Sequence, residues 1–267
     1  IANAPSMSSG DSDGDGIADN EEGFGDADND GVPDYLDAIP APNVLQEETA
    51  NSAEFLIEAE PGVHLILGDL AMRANNNRAK VEDADIENYG NDGAPADIDP
   101  DYGFPGGLFD FRVEELPVVG QSVKIVIPQQ SAIPEEPLYR KLIDGQWIDF
   151  VEDDDNRLAS AAGEQGNCPP PGDSSYTPGL NVGDWCVQLT IKDGGPNDAD
   201  GKINGHVQDP GGVAMPLESL VTVEKAGGGG SLGLFFGLLP LFHRRALAIA
   251  VSLLTAPAIA HADAAKP

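Results

Sequence analysis

The chain has 267 residues, and 46 Asp and Glu set against 14 Lys and Arg leave a net charge of −32. A polyanion of this density is repelled by phosphate backbones and anionic headgroups, which argues against a nucleic-acid binder and makes cations the natural partners. Forty per cent hydrophobic residues supply one core, while 32 glycines and 22 prolines point to short strands and many turns rather than to helices. Because the chain opens at Ile1 and not at Met, a signal peptide or further domains are expected upstream.

Charge divides the chain. Residues 1–72 hold seventeen Asp or Glu and no Lys or Arg, whereas 225–262 holds no acid. The first feature is an acidic repeat at 11–37. Asp11, Asp13, Asp15, Gly16, Asp19 and Glu22 satisfy the calcium-loop pattern D-x-D-x-D-G-x5-E, and Asp26, Asp28, Asp30, Gly31, Asp34 and Asp37 repeat it fifteen residues later. A hard cation of calcium's size takes six to eight oxygens, which alternate carboxylates on a tightly wound loop bring to one point. Ile17 and Val32, at the seventh loop position, would add backbone carbonyls. Two Ca2+ ions are therefore expected.

Ser-Met-Ser-Ser-Gly upstream and Pro33 within the second loop leave no room for the flanking helices of an EF-hand. The tandem, helix-poor arrangement instead resembles thrombospondin type 3 calcium repeats over 11–37, without the cysteines of the animal versions. Residues 38–46, with Pro40 and Pro42, read as a stiff spacer.

From 47 to 224 the pattern is β. Phe109, Phe111 and Val113 alternate with polar residues, as do Val187, Leu189 and Ile191, and Val123, Ile125 and Ile127 repeat the period. Ala53–Ala59 and Val63–Leu67 add candidate strands. Leu138–Ile143 and Trp147–Val151 around Asp144-Gly145 predict a hairpin. With no long amphipathic helix, the expectation is all-β: an antiparallel β-sandwich, preceded by the loop repeats and followed by an apolar helical tail.

Cys168 and Cys186 flank Pro169-Pro170-Pro171 and carry no C-x-x-C spacing; by themselves they fit either a bridge or two buried thiols. The residues around them form a recognisable pattern. Asp144-Gly-Gln-Trp147, Cys168-Pro-Pro-Pro-Gly, Gly183-Asp-Trp-Cys186 and Asp193-Gly-Gly-Pro-Asn197-Asp-Ala-Asp200-Gly resemble the choice-of-anchor U domain of bacterial surface proteins, over roughly 47–215. That resemblance implies a non-catalytic domain lying upstream of a C-terminal sorting signal. Both cysteines fall on family positions, which implies a disulfide worth roughly 3 kcal/mol by loop length.

Asp193, Asn197, Asp198, Asp200 and Asn204 form a possible third cation site, with turns between strands as the alternative. Asp97, Asp99 and Asp101 alternate and offer a weaker one. Gly229-Gly230-Ser231-Leu232-Gly233 matches the nucleophile-elbow pattern but follows a glycine linker instead of a core strand, and no histidine pairs with it.

In the tail, 225–267, Gly227, Gly228, Gly229, Gly230 and Ser231 precede an apolar run ending at His243-Arg244-Arg245. This resembles a GlyGly-CTERM sorting signal, which implies cleavage by a rhomboid-type intramembrane protease at the glycines. Twelve helical residues reach about 18 Å, short of the ~30 Å hydrocarbon core. The chain resumes with a second run, Ala246–Ala260, that looks like an export signal. Its basic start would face the cytoplasm and place 1–226 outside the inner membrane.

Together these features predict a calcium-stabilised, non-catalytic cell-surface or secreted bacterial module acting in adhesion or presentation, held transiently or permanently by the membrane. The alternatives are the spacer and anchor of a secreted hydrolase whose catalytic domain lies upstream, and a carbohydrate-binding sandwich.

Overall fold

The computed structural model of the protein describes residues 7–48 and 54–217, all within a compact unit spanning Ile1–Ala226. The expected processing site Gly227–Ser231 and the apolar tail lie outside the described residues. Among the described residues no helix is long and apolar enough to cross a membrane.

In chain order, a one-turn helix α1 (Asp19–Glu22) and a 3-10 turn (Asp34–Leu36) precede strands β1 (Val44–Gln46), β2 (Leu56–Ala59) and β3 (His64–Leu67). Two short helices follow, α2 (Asp69–Ala74) and α3 (Asp83–Tyr89). The remaining strands are β4 (Tyr102–Gly103), β5 (Phe109–Glu114), β6 (Ser122–Pro128), β7 (Leu138–Ile143), β8 (Gln146–Asp149), β9 (Arg157–Ala161), β10 (Thr177–Pro178), β11 (Cys186–Lys192) and β12 (Val207–Pro216). They form two antiparallel sheets, ordered β1-β2-β6-β11-β9-β10 and β3-β5-β12-β7-β8, with β4 pairing β12. Val44–Gln46, inside the stretch that reads as a spacer, is thus an edge strand, registered against β2 with Leu45 opposite Ile57.

Alternation works as the sequence implies. Ile125, Ile127, Val187, Leu189 and Ile191 of one sheet and Phe109, Phe111, Val113 and Val207 of the other are buried in one core. Asp144 (φ 50°) and Gly145 (φ 70°) make the two-residue turn between β7 and β8, the left-handed pair that matches strand twist. Cys168 and Cys186 are joined by a disulfide with Cα atoms 5.6 Å apart, which fastens the proline-rich 169–171 loop to the start of β11.

Strand β12 breaks the propensity rules, since it lies between β5 and β7 yet contains Pro210-Gly211-Gly212. Close approach explains the glycines. A Cβ on Gly212 would lie 2.5 Å from the Gly107 carbonyl, and one on Gly211 would lie 2.8 Å from the Arg140 carbonyl and 2.7 Å from the Tyr139 ring.

Helix α2 begins at Gly68, which has no side chain to cap it. Its first N–H groups are satisfied from the neighbouring strand: Leu70 and Ala71 donate to Asp110 Oδ2 at 2.7 and 2.9 Å. A Cβ at Gly68 would lie 2.2 Å from that carboxylate. Asp110 is fully buried, and burial pushes its carboxyl up to about 7 despite the two donors. The folded state therefore holds a proton that the unfolded chain releases above about pH 4, and stability declines as pH rises from about 4 to about 7. Asp110→Asn retains an acceptor for the helix but cannot ionise. Urea unfolding at several pH values should show the wild type losing up to about 1.4 kcal/mol per pH unit relative to this variant over that window, with parallel curves above it.

Candidate metal centre

The two acidic loops are one structure built twice. Asp19 N–H donates to the Gly10 carbonyl at 2.8 Å, and Asp34 N–H to that of Gly25 at 2.9 Å. Ser12 N–H donates to Asp19 Oδ1 and Ala27 N–H to Asp34 Oδ1, both at 2.7 Å. Gly16 and Gly31 donate to Asp11 and Asp26 at 3.1 and 3.2 Å, and Ile17 and Val32 to Asp15 and Asp30, both at 2.6 Å. Each pair is offset by fifteen residues. The sixth-position glycines explain the requirement, since Gly16 and Gly31 stand at φ 97° and 98°, a conformation a side chain would strain.

Winding the backbone this way brings carboxylates together. Ligand-capable oxygens of Asp11, Asp13 and Asp15 lie within 4.8 Å of one another, as do those of Asp26, Asp28 and Asp30. The remaining positions divide. Asp19 accepts from Ser8 Oγ, Ser12 N and Ser12 Oγ, and these donors outweigh its burial and hold its carboxyl below the usual range. Asp34 is engaged by Ala27 as noted, and a Cβ at Gly25 would lie 2.3 Å from its Oδ2. The ninth-position acids therefore brace the loops. The twelfth-position acids face the clusters: burial, then Asp13, Asp15 and Asp11, push Glu22 up to about 7. Asp37 is pushed to about 6 by burial and by Asp28, Asp13 and Asp34, despite accepting from Ile39 N–H.

Asp13 Oδ2, Glu22 Oε2, Asp30 Oδ2 and both oxygens of Asp28 are buried without a hydrogen-bond partner. Burial, with Asp28, Asp37 and Asp26 nearby, pushes Asp30 up to about 8 even though Val32 N–H donates to it. Removing carboxylate oxygens from water costs several kcal/mol unless something positive replaces it. The donor set is all oxygen, with no thiolate, and fits a hard divalent cation such as Ca2+. Among the described residues no backbone N–H donates to the carbonyls of Ile17 or Val32, so both remain available as neutral ligands.

The second loop is docked onto the sandwich. Leu67 N–H donates to the Asp30 carbonyl at 2.8 Å, and Val32 and Leu36 are buried in the sandwich core. Phe24 and Tyr35 stack edge to face at 5.6 Å, linking the loops.

The group at 193–204 is organised differently. Asp193 accepts from Gly120, Asn204 and Gly205 N–H. Asn197 holds both the N–H and the carbonyl of Val151. Asp198 accepts from Gly194 and Gln208, Asp200 from Lys202 N–H and Asn204 Nδ2, and Asn204 Oδ1 from His206. These side chains tie turns to strands, and their carboxylates form no convergent group of three. Asp99 likewise accepts from Arg140 Nε at 2.9 Å and from Asp101 N–H. Sequence reasoning did not find the polar cleft of about 530 Å³ walled by α2, α3 and β5, where Asp69, Arg73, Tyr89, Arg112 and His206 gather; its residues come from five separate segments. Exposed aromatics, the platforms a sugar-binding face requires, are limited among the described residues to Phe24 and Tyr89.

The chain matches no family model, and comparison with curated proteins and with solved structures finds no significant likeness.

Bracing and ligating carboxylates are separable by mutation. Asp28→Asn should lower calcium affinity by roughly tenfold or more while leaving the metal-free protein as stable as before or more so. Asp19→Ala should destabilise the first loop even without metal, since it removes the acceptor shared by Ser8 Oγ, Ser12 N–H and Ser12 Oγ. Calcium titration and thermal melts in chelator measure the two effects.

Proposed function

We propose that the protein is a calcium-stabilised, non-catalytic module of the bacterial cell surface or its secreted material, acting as a stalk that presents or adheres. The observation that carries this reading is the pair of equivalent loops, each with buried carboxylate oxygens that lack a hydrogen-bond partner, one of them sharing the sandwich core. A device of that kind makes rigidity conditional on a cation abundant outside cells and scarce within them. The disulfide supports an oxidising compartment. The likeness to thrombospondin type 3 repeats and to the choice-of-anchor U domain points the same way, and the sorting-signal-like tail would supply attachment through the inner membrane and a rhomboid-type protease. The net charge of −32 favours divalent cations over polyanionic partners.

Calorimetric titration of the metal-free protein should give two calcium equivalents. With free calcium about ten times Kd, each site adds about 1.4 kcal/mol of stability, and a chelator should open the chain to proteolysis within 8–40. Absence of heat together with a proteolysis pattern indifferent to chelator would overturn the reading.

A further inference from the structure

We propose that Lys141 and Asp209 become joined by an amide bond between Nζ and Cγ, an intramolecular isopeptide cross-link between strands β7 and β12. Both side chains are 0% exposed, with Nζ 2.5 Å from Asp209 Oδ1. At that separation neither atom has a hydrogen-bond partner, so the amine sits off the line of a hydrogen bond and against the carboxyl group. The other carboxyl oxygen is held: Tyr139 Oη donates to Asp209 Oδ2 at 3.1 Å. Space is kept for the three groups by Gly211, which lies opposite Lys141 in register. A Cβ there would lie 2.9 Å from Asp209 Oδ1 and 2.7 Å from the Tyr139 ring.

The surroundings favour condensation. An ammonium and a carboxylate withdrawn from water lose most of their hydration, and proton transfer between them yields a neutral amine and a carboxylic acid at contact distance. Held in this way, the pair needs no encounter step. The Nζ lone pair forms the bond to Cγ, and the Cγ–Oδ1 bond breaks. Oδ1 leaves as water with one hydrogen from the acid and one from the amine. Charge and atoms balance without oxidant, metal or cofactor. Negative charge accumulates on Oδ2 in the tetrahedral intermediate, where the Tyr139 hydroxyl is already in place to stabilise it. Burial and the Asp209 charge hold that phenol well above its usual value, so it remains a donor. Neither Lys141 nor Asp209 belongs to the calcium loops, and the inference stands or falls apart from them.

The test is the intact mass of the full chain, purified folded, then reduced and denatured. The expected mass is one water below that of the reduced sequence, with proteolysis yielding a branched peptide containing Lys141 and Asp209. Lys141→Arg and Asp209→Ala should restore the full mass. Asp209→Asn should cross-link with loss of ammonia in place of water, a signature that a succinimide elsewhere would not produce. Tyr139→Phe, followed by mass against time after refolding, should form the link on the order of a hundredfold more slowly. Recovery of Lys141 and Asp209 in linear peptides from folded wild-type protein after prolonged incubation would overturn the proposal, as would a branched peptide that persists in Lys141→Arg.

Discussion

A carboxylate taken out of water must be given something in return, and this chain does so with many of its 46 acidic residues. Three solutions operate. Backbone N–H groups engage one oxygen of Asp110 at the start of α2 and both oxygens of Asp193. Basic side chains offset the charge of Asp99, through a hydrogen bond from Arg140, and of Asp209, through the contact with Lys141. In the clusters, Asp13 Oδ2, Asp30 Oδ2 and both oxygens of Asp28 have neither, and the proposed cation would be their counterpart. Where each acid falls among these classes decides whether it braces a turn, anchors a helix or is left with oxygens that no protein group meets.

The second loop matters more than the first for the rest of the molecule. Its Asp30 carbonyl extends the hydrogen bonding of β3 through Leu67, and Val32 enters the core two residues after a carboxylate. Electrostatic repulsion in the loop is thereby set against apolar burial in the sandwich. The proposed cation would relieve the first and leave the second intact; order at the N-terminal end and packing at β3 meet at the Leu67–Asp30 hydrogen bond and at Val32. The first loop reaches the second through the Phe24–Tyr35 contact and through the mutual field of Asp13 and Asp37.

Much of this was legible in the residues. Period-two spacing located β5, β6 and β11, because each has one face in the core; Asp144-Gly145 located the β7–β8 hairpin; and the fifteen-residue acid register located both loops. The failures have physical causes. β12 was invisible because its Pro-Gly-Gly stretch is dictated by the crowding of Tyr139, Arg140 and Gly107, which no local propensity reports. β1 was hidden by neighbouring prolines. Composition also does not report that Asp19 and Asp34 each accept a backbone N–H from Ser12 and Ala27, or that the turn at 193–204 has its acceptors matched to donors, the turn reading that the sequence left open beside a third cation site. Composition names the available oxygens; only the backbone path decides which are free.

The order of the second sheet, β3-β5-β12-β7-β8, bears on how the chain can be made. β5 and β7 flank a gap that only residues 207–216 fill, so the sheet cannot close until nearly all of the described chain has been synthesised. Long-range pairing of this kind folds slowly. A nascent chain would accordingly stay open through most of its elongation and would complete this sheet only after β12 had been made.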